Sequence, residues 1–198
     1  SKIVQMARRW SGYNVIRTKY PQLGQFLSTS ESWEQFYSVQ FLRRLGIYEK
    51  YLEFISSLNI KSSMSAARHF YYSNQIQLLA RETVGSEPLD VLEIGAGAGN
   101  LACLLYLSGM VRSYCIVDLP EMLVLSAYQV SKYVPDAEIV FAKPDTDYHP
   151  APGRFLFVQA NDVNQVPDNS MDTSINIMSF MEMDETTRDN YIAQLYRI

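Results

Sequence analysis

The stretch DVLEIGAGAGNLACLLY, Asp90 to Tyr106, limits what this chain can fold into more than any other. The apolar run Val91 to Ile94 has the length of a buried strand. It ends in Gly95, Gly97 and Gly99, three glycines at alternate positions. Leu101, Leu104 and Leu105 then recur at helical spacing, so the pattern switches from strand to helix across the glycines. Glycine lets the backbone enter left-handed conformations and removes the side chain that would hold a ligand away. A helix that begins just after such a turn presents free N–H groups to a partly negative ligand.

Two nucleotide-loop patterns compete with a plain structural turn. A dinucleotide loop requires G-x-G-x-x-G, and Asn100 stands where its third glycine belongs. A P-loop would need Gly-Lys-Ser/Thr, which does not follow. SYCIVD, Ser113 to Asp118, reads as a second strand. It ends on an acid about twenty residues past the loop, where a carboxylate accepts hydrogen bonds from a ribose diol and repels a 2′-phosphate. Glu93 lies inside the first strand, where an acid is costly to bury. It either satisfies N–H groups of the loop or faces a cationic ligand. An ammonium, a sulfonium and a ribose together describe S-adenosylmethionine.

Strand and helix alternate from Leu89 onward, which predicts a doubly wound parallel sheet of the Rossmann-like α/β class. Leu123, Ala127, Val130 and Val134 form a helical face stopped by Pro135, and Gly109 ends the preceding helix. Phe155 to Gln159 and TSINIMSF, Thr173 to Phe180, read as further strands. Asp184 is placed to cap a last helix whose apolar face carries Tyr191, Ile192, Leu195 and Tyr196. Only about four strands are accounted for before the chain stops inside that helix. A nucleotide-binding sheet usually has more, so the domain reads as C-terminally incomplete.

Residues 1–84 read as a helical cap and 85–198 as the sheet domain, the change falling at Gly85-Ser86-Glu87-Pro88. Ser28 and Glu31 have capping-box spacing. Trp33, Phe36, Tyr37 and Phe41 follow on one face, with Gly46 as a stop. Tyr48, Tyr51, Leu52, Ile55 and Leu58 make a second stripe. A third helix, roughly Ser63 to Thr83, carries the aromatic run RHFYY, Arg68 to Tyr72. Helix packing explains these stripes most simply; the alternative is a cap whose aromatics wall a substrate pocket.

Composition excludes some classes. Apolar residues at 47% and charged residues at 19% are globular values. A net charge of -4 lacks the basic excess of a nucleic-acid binder. No apolar run is long enough to span a membrane, and the first residues lack the apolar core of a secretory signal. Cys103 and Cys115 have no metal-ligand spacing and read as core residues, which fits a reducing, cytoplasmic setting. A homo-oligomer remains compatible with all of this.

VLEIGAGAG resembles motif I of class I S-adenosylmethionine-dependent methyltransferases. IVDLPEM, Ile116 to Met122, is similar to their ribose-binding strand end, and VPDNSMDTSINIMSFMEMD, Val166 to Asp184, to the approach and exit of their fourth strand. DLP and the S-F-x-E-M pattern at Ser179, Phe180, Glu182 and Met183 resemble bacterial sugar O-methyltransferases of glycan gene clusters. The resemblance implies that Gly95, Ala96 and Gly97 pass beneath the methionine moiety. Glu93 then holds the loop and the amino group, Asp118 takes the ribose hydroxyls, and Leu119 packs on the adenine. The acid at the adenine edge is Asp145 if AEIVFAKPD is the preceding strand, or Asn161 and Asp162 if FLFVQAND is. The resemblance favours Asp162, because its spacing to Val166-Pro167 and Asp172 is similar to the family's pattern. Met178 would line the donor pocket.

The expected reaction is transfer of a methyl group to a hydroxyl of a sugar, nucleotide sugar or glycan precursor; a hydrophobic small-molecule hydroxyl is the alternative. A nicotinamide dehydrogenase and a non-catalytic donor-binding module are weaker readings. SFMEMD is not the Asn/Asp-Pro-Pro-Tyr/Phe motif of nucleic-acid methyltransferases. Proton removal from the acceptor requires a base. Glu182, just past the fourth strand, leads; His149, in the Pro-rich segment KPDTDYHPAPG, is second, followed by His69 and Asp184. Two neighbouring acids, Glu182 and Asp184, are too few to argue a metal site.

Overall fold

A computed structural model describes residues 39–40, 42–44, 46–57, 59, 64–83 and 88–198. The expectations at Ser28, Glu31, Trp33, Phe36, Tyr37, Phe41, Leu58 and 85–87 lie outside the described residues. The chain divides into two compact units, Ser1–Tyr71 and Tyr72–Ile198.

In the first unit, Gly46 turns the chain at φ +70° after a helical stretch, and its N–H donates to the Arg43 carbonyl at 3.0 Å. Helix α1, Tyr48–Ser57, buries Tyr51 and Ile55. They pack with Leu42 and with Ala66, Ala67 and Phe70 from the start of α2, Met64–Thr83. The Phe70 ring lies 5.5 Å from Tyr51 and 5.2 Å from Phe54. Phe70 of the aromatic run is therefore a packing residue.

From Tyr72 onward α2 belongs to the second unit, where Tyr72, Ile76 and Ala80 join its core. That core surrounds five parallel strands: β1 Leu89–Ile94, β2 Val111–Asp118, β3 Glu138–Phe141, β4 Arg154–Gln159 and β5 Thr173–Asn176, in the order β3-β4-β2-β1-β5. The expected α/β class with a parallel sheet is thus present, in a form compatible with a Rossmann-like fold. The strand count was expected to be about four. The fifth is AEIVF, which pairs with β4 from the outer edge, half exposed because only one neighbour covers it. The stretch TSINIMSF leaves the sheet after Asn176, because Met178 turns to φ +72° and Ser179–Met181 closes a 3-10 turn.

Helices α3, Asn100–Leu107, and α4, Pro120–Tyr133, join the strands. Pro120 opens α4 at a position that needs no N–H donor. Gly109, at φ +74°, ends the α3 turn as expected. With α2 they cover one sheet face, built on Leu89, Val91, Tyr114, Ile116, Phe155 and Phe157. Leu92, Ile94, Cys115, Val117, Leu156 and Val158 point the other way, toward Tyr148 and the last helix α5, Glu185–Arg197. The central strands read as unbroken apolar runs because both faces are covered.

Asp184 caps α5 as the sequence predicts, its Oδ1 accepting the Thr187 N–H at 3.0 Å. The helix face differs from the expected one: Tyr191 and Leu195 pack inward with Ile198, whereas Ile192 and Tyr196 are exposed. The inward positions repeat every three to four residues, so their immediate neighbours fall on the solvent side.

At the N-terminal end of the sheet, the buried Asp90 carboxylate accepts from Arg112 Nε at 2.9 Å, from Arg112 Nη2, and from Ser113 Oγ at 2.7 Å. Asp172 Oδ2 accepts the Asp90 N–H at 2.8 Å, tying β1, β2 and the approach to β5 into one polar knot. Cys103 and Cys115 are buried free thiols, as expected of core residues. Among the described residues no helix is long and apolar enough to cross a membrane.

Candidate ligand crevice

The sheet order places a switch point at β1. From β1 the chain passes to β2, then to the edge strand β3 and back to β4 between them, all on one side, before it crosses to β5 on the other. β1 leads into α3 on one sheet face and β5 into α5 on the other, the arrangement in which open α/β sheets hold ligands beyond their strand ends.

Gly95, Gly97 and Gly99 adopt φ of +74°, +58° and +73°, and they face different surroundings. A Cβ on Gly95 would lie 2.3 Å from Ser179 Oγ, and one on Gly99 would lie 3.0 Å from Ser126 Cβ. These two glycines allow the loop to seat against β5's exit and α4. A Cβ on Gly97 would meet nothing within 4 Å, so this backbone faces open space. The Gly97 N–H donates to Asp118 Oδ2 at 3.0 Å, and Asp118 Oδ1 accepts the Leu119 N–H at 2.8 Å. Asp118 thereby sits directly beside the glycine loop, each oxygen retaining a lone pair for a further donor. Leu119 next to it is 53% exposed.

Glu93 is buried beneath the loop on the α3 and α4 side. Its Oε2 accepts the Tyr114 hydroxyl at 2.8 Å. That hydroxyl, rather than an N–H of the loop, is the hydrogen-bond partner found for the carboxylate. Burial pushes the Glu93 carboxyl up to about 7; the Tyr114 hydrogen bond opposes this and the charge of Asp118 adds to it.

The 3-10 turn Ala160–Gln165 follows β4 and carries Asn161, exposed, and Asp162, half-buried. Asp118 pairs with Gln159 across β2 and β4, so Asp162 leaves the strand next to Asp118's own. Asp145 follows β3, one strand further out. The topology therefore favours Asp162 over Asp145 as a neighbour of Asp118.

Beyond β5, Met178 is 55% exposed in a left-handed conformation that L side chains rarely adopt. Glu182, exposed, closes the 3-10 turn that follows. Asn176 Nδ2 donates to the Ile94 carbonyl at 3.0 Å and to Ser179 Oγ at 2.5 Å. Ser179 Oγ donates to the same carbonyl at 3.1 Å. Tyr191 reaches in from α5: its hydroxyl donates to the Ala160 carbonyl at 3.3 Å, and its ring stacks on Phe180 at 6.4 Å. Burial raises the Tyr191 phenol, and the negative charge of Asp118 raises it further. The positions of Asn176 and Tyr191 were not foreseen. Asn176 reads in sequence as one polar residue of an alternating strand, and Tyr191 as one apolar position of a helix.

Thus Glu93, Gly95, Ala96, Gly97, Asp118, Leu119, Asn161, Asp162, Met178 and Glu182 all gather at the C-terminal end of the sheet. His149 does not join them. Arg154 at the start of β4 donates to its carbonyl at 3.3 Å, while Asp118 pairs with Gln159 at the end of that strand. A six-residue strand separates these ends by roughly 16 Å, at about 3.3 Å per residue. His149 Nδ1 lies 2.8 Å from Asp147 Oδ1, and the residue borders a small cleft with Ser113, Arg154 and Met171. As a base for chemistry above the glycine loop it is misplaced, because its segment has already returned to the N-terminal edge of the sheet. Asp184 is occupied as a helix cap. His69 belongs to the other unit. No group of three or more metal-ligating side chains occurs among the described residues.

In comparisons with known proteins, no family model and no curated protein matches this chain.

Proposed function

We propose that the chain is a methyltransferase of the class I type that uses S-adenosylmethionine to methylate a hydroxyl on a sugar or glycan precursor. The observation that carries this reading is the pairing of an open glycine backbone at Gly97 with the Asp118 carboxylate, at the switch point of a parallel sheet. The residues fit the donor. Asp118 keeps acceptor capacity for two ribose hydroxyls, and a side chain at Gly97 would fill the space the donor needs. Glu93 places a carboxylate beneath a loop that would meet an ammonium group.

The donor supplies a methyl group already activated on sulfonium. The protein's work is alignment and proton removal. Gly95 and Gly97 would allow close approach of the backbone, Asp118 would hold the ribose, and Asp162 and Leu119 would bound the adenine. Glu182, one short turn beyond β5, would accept the proton of the acceptor's hydroxyl.

Titration with S-adenosylhomocysteine tests the reading. Heat of binding and a rise in melting temperature are expected; neither at millimolar ligand, with a folded protein, would refute it. A hydrophobic hydroxyl acceptor is the second reading, favoured by Leu119, Met178 and Met181, which are 53%, 55% and 64% exposed. Turnover confined to phenols or catechols, with every glycan ignored, would select it.

A further inference from the structure

We propose that Asn176 and Ser179 form a latch that fixes the turn carrying Met178 and Glu182 onto Gly95, so that the donor loop and the acceptor side of the crevice are positioned together. The inference rests on the crevice reading above and names two positioning residues within it.

The latch begins where the β1–β5 ladder ends, at the Ile94–Asn176 pair. Continuing the ladder would give the Ile94 carbonyl a backbone donor, but Met178 has left the sheet at φ +72° and ψ −22°. Two side chains replace that donor. Asn176 Nδ2 reaches the Ile94 carbonyl at 3.0 Å and Ser179 Oγ reaches it at 3.1 Å. The Asn176 amide also donates to Ser179 Oγ, and its Oδ1 accepts the Phe180 N–H at 3.3 Å. One asparagine therefore contacts the end of β1, the serine and the turn's own backbone.

Ser179 also fills the space a side chain at Gly95 would need, with Oγ and Cβ at 2.3 and 2.4 Å from the ideal Cβ position. The first loop glycine is thus required by the acceptor-side turn, and the open one, Gly97, by the ligand space. A left-handed methionine is strained and persists only where its surroundings hold it. The hydrogen bonds on either side of Met178 supply that restraint. Moving Glu182 relative to the loop means breaking them.

Hydrogen–deuterium exchange on the intact chain tests the latch, with Ser179→Ala and Asn176→Asp as variants. Ser179→Ala keeps the Cβ that packs on Gly95 and is the variant most certain to fold. Asn176→Asp is isosteric and removes both amide donations. Without ligand, exchange across 177–183 should rise about tenfold in either variant, while that across 97–105 stays within twofold. S-adenosylhomocysteine should slow both segments in the wild type but only 97–105 in the variants, with affinity within threefold. Wild-type rates across 177–183 in both folded, ligand-free variants would overturn the latch. So would equal ligand protection of that segment in wild type and variants. If S-adenosylhomocysteine slows neither segment in the wild type, the donor assignment fails, and the ligand-free comparison still decides whether the latch exists.

Discussion

Glu93 and Asp118 are the two acids that most distinguish the crevice, and they make separate predictions. Glu93 keeps its proton in the folded protein up to about pH 7 and gives it up near 4.5 in the unfolded chain. Between those values the unfolded state releases a proton that the native state retains. Stability therefore falls as pH rises from about 4.5 to 7, and the contribution is fully present below that window. At 1.36 kcal/mol per pH unit the loss is roughly 3 kcal/mol. Glu93→Gln should flatten this limb when urea midpoints are followed from pH 5 to 8; an unchanged slope would assign it to another group. Asp118→Ala should weaken S-adenosylhomocysteine binding by roughly 1.5–3 kcal/mol, the scale of a hydrogen bond to a charged group. Unaltered affinity in the folded variant would remove Asp118 from the donor site. The positions of both acids were legible in the sequence because they are local, one inside a strand and one at its end. The Asn176–Ser179 contact to Ile94 was not, since it joins residues 82 and 85 positions apart. No spacing rule encodes such a contact.

At the level of elements, sequence periodicity located β1, α3, β2 and α4 because each is a regular run bounded by glycine or proline. It overextended β5 for a definable reason: Ile177 and Phe180 continue the apolar content of the strand, and only the backbone reversal at Met178 ends it. It could not show where the segment holding His149 returns to the sheet, because a Pro-rich connection carries no periodicity. What aligns the elements at the opposite edge is the polar knot on Asp90. Asp90→Ala would leave the buried Ser113 hydroxyl without its acceptor and Arg112 without its counter-charge. Removing one partner of a buried pair costs about 3–5 kcal/mol. The Arg112 side chain is 48% exposed and regains water, so a loss of about 2 kcal/mol is expected from urea unfolding. A loss below about 0.5 kcal/mol would mean that strand pairing alone sets the register. Donor affinity measured on the remaining folded protein should stay within a few fold, because the knot lies at the far end of the strands from Gly97.

For the whole molecule, the change from helical to alternating pattern places a boundary at 84–85, whereas packing divides the chain between Tyr71 and Tyr72. The difference arises because α2 is one helix with two kinds of partner. Phe70 belongs with Tyr51 and Ile55, and Ala80 is buried against the sheet, with Tyr72 and Ile76 packed beside it. Periodicity registers the helix but not what it packs on. The consequence is measurable with two fragments. One spanning 72–198 retains cover on both sheet faces and every proposed donor residue from Glu93 to Met178. It should unfold cooperatively and bind S-adenosylhomocysteine within about tenfold of the full chain. A fragment spanning 85–198 loses Tyr72, Ile76 and Ala80 from the core cluster that holds Leu89 and Val91. At about 25 cal/mol per Å² of apolar surface, removing those side chains costs roughly 3 kcal/mol, a large share of the 5–15 kcal/mol that holds a typical domain together. Its urea midpoint should fall accordingly, with weaker binding only to the extent that the unfolded fraction grows. Equal midpoints for the two fragments would show that the second half of α2 adds nothing to the sheet unit, and the boundary would return to the position where the sequence pattern changes.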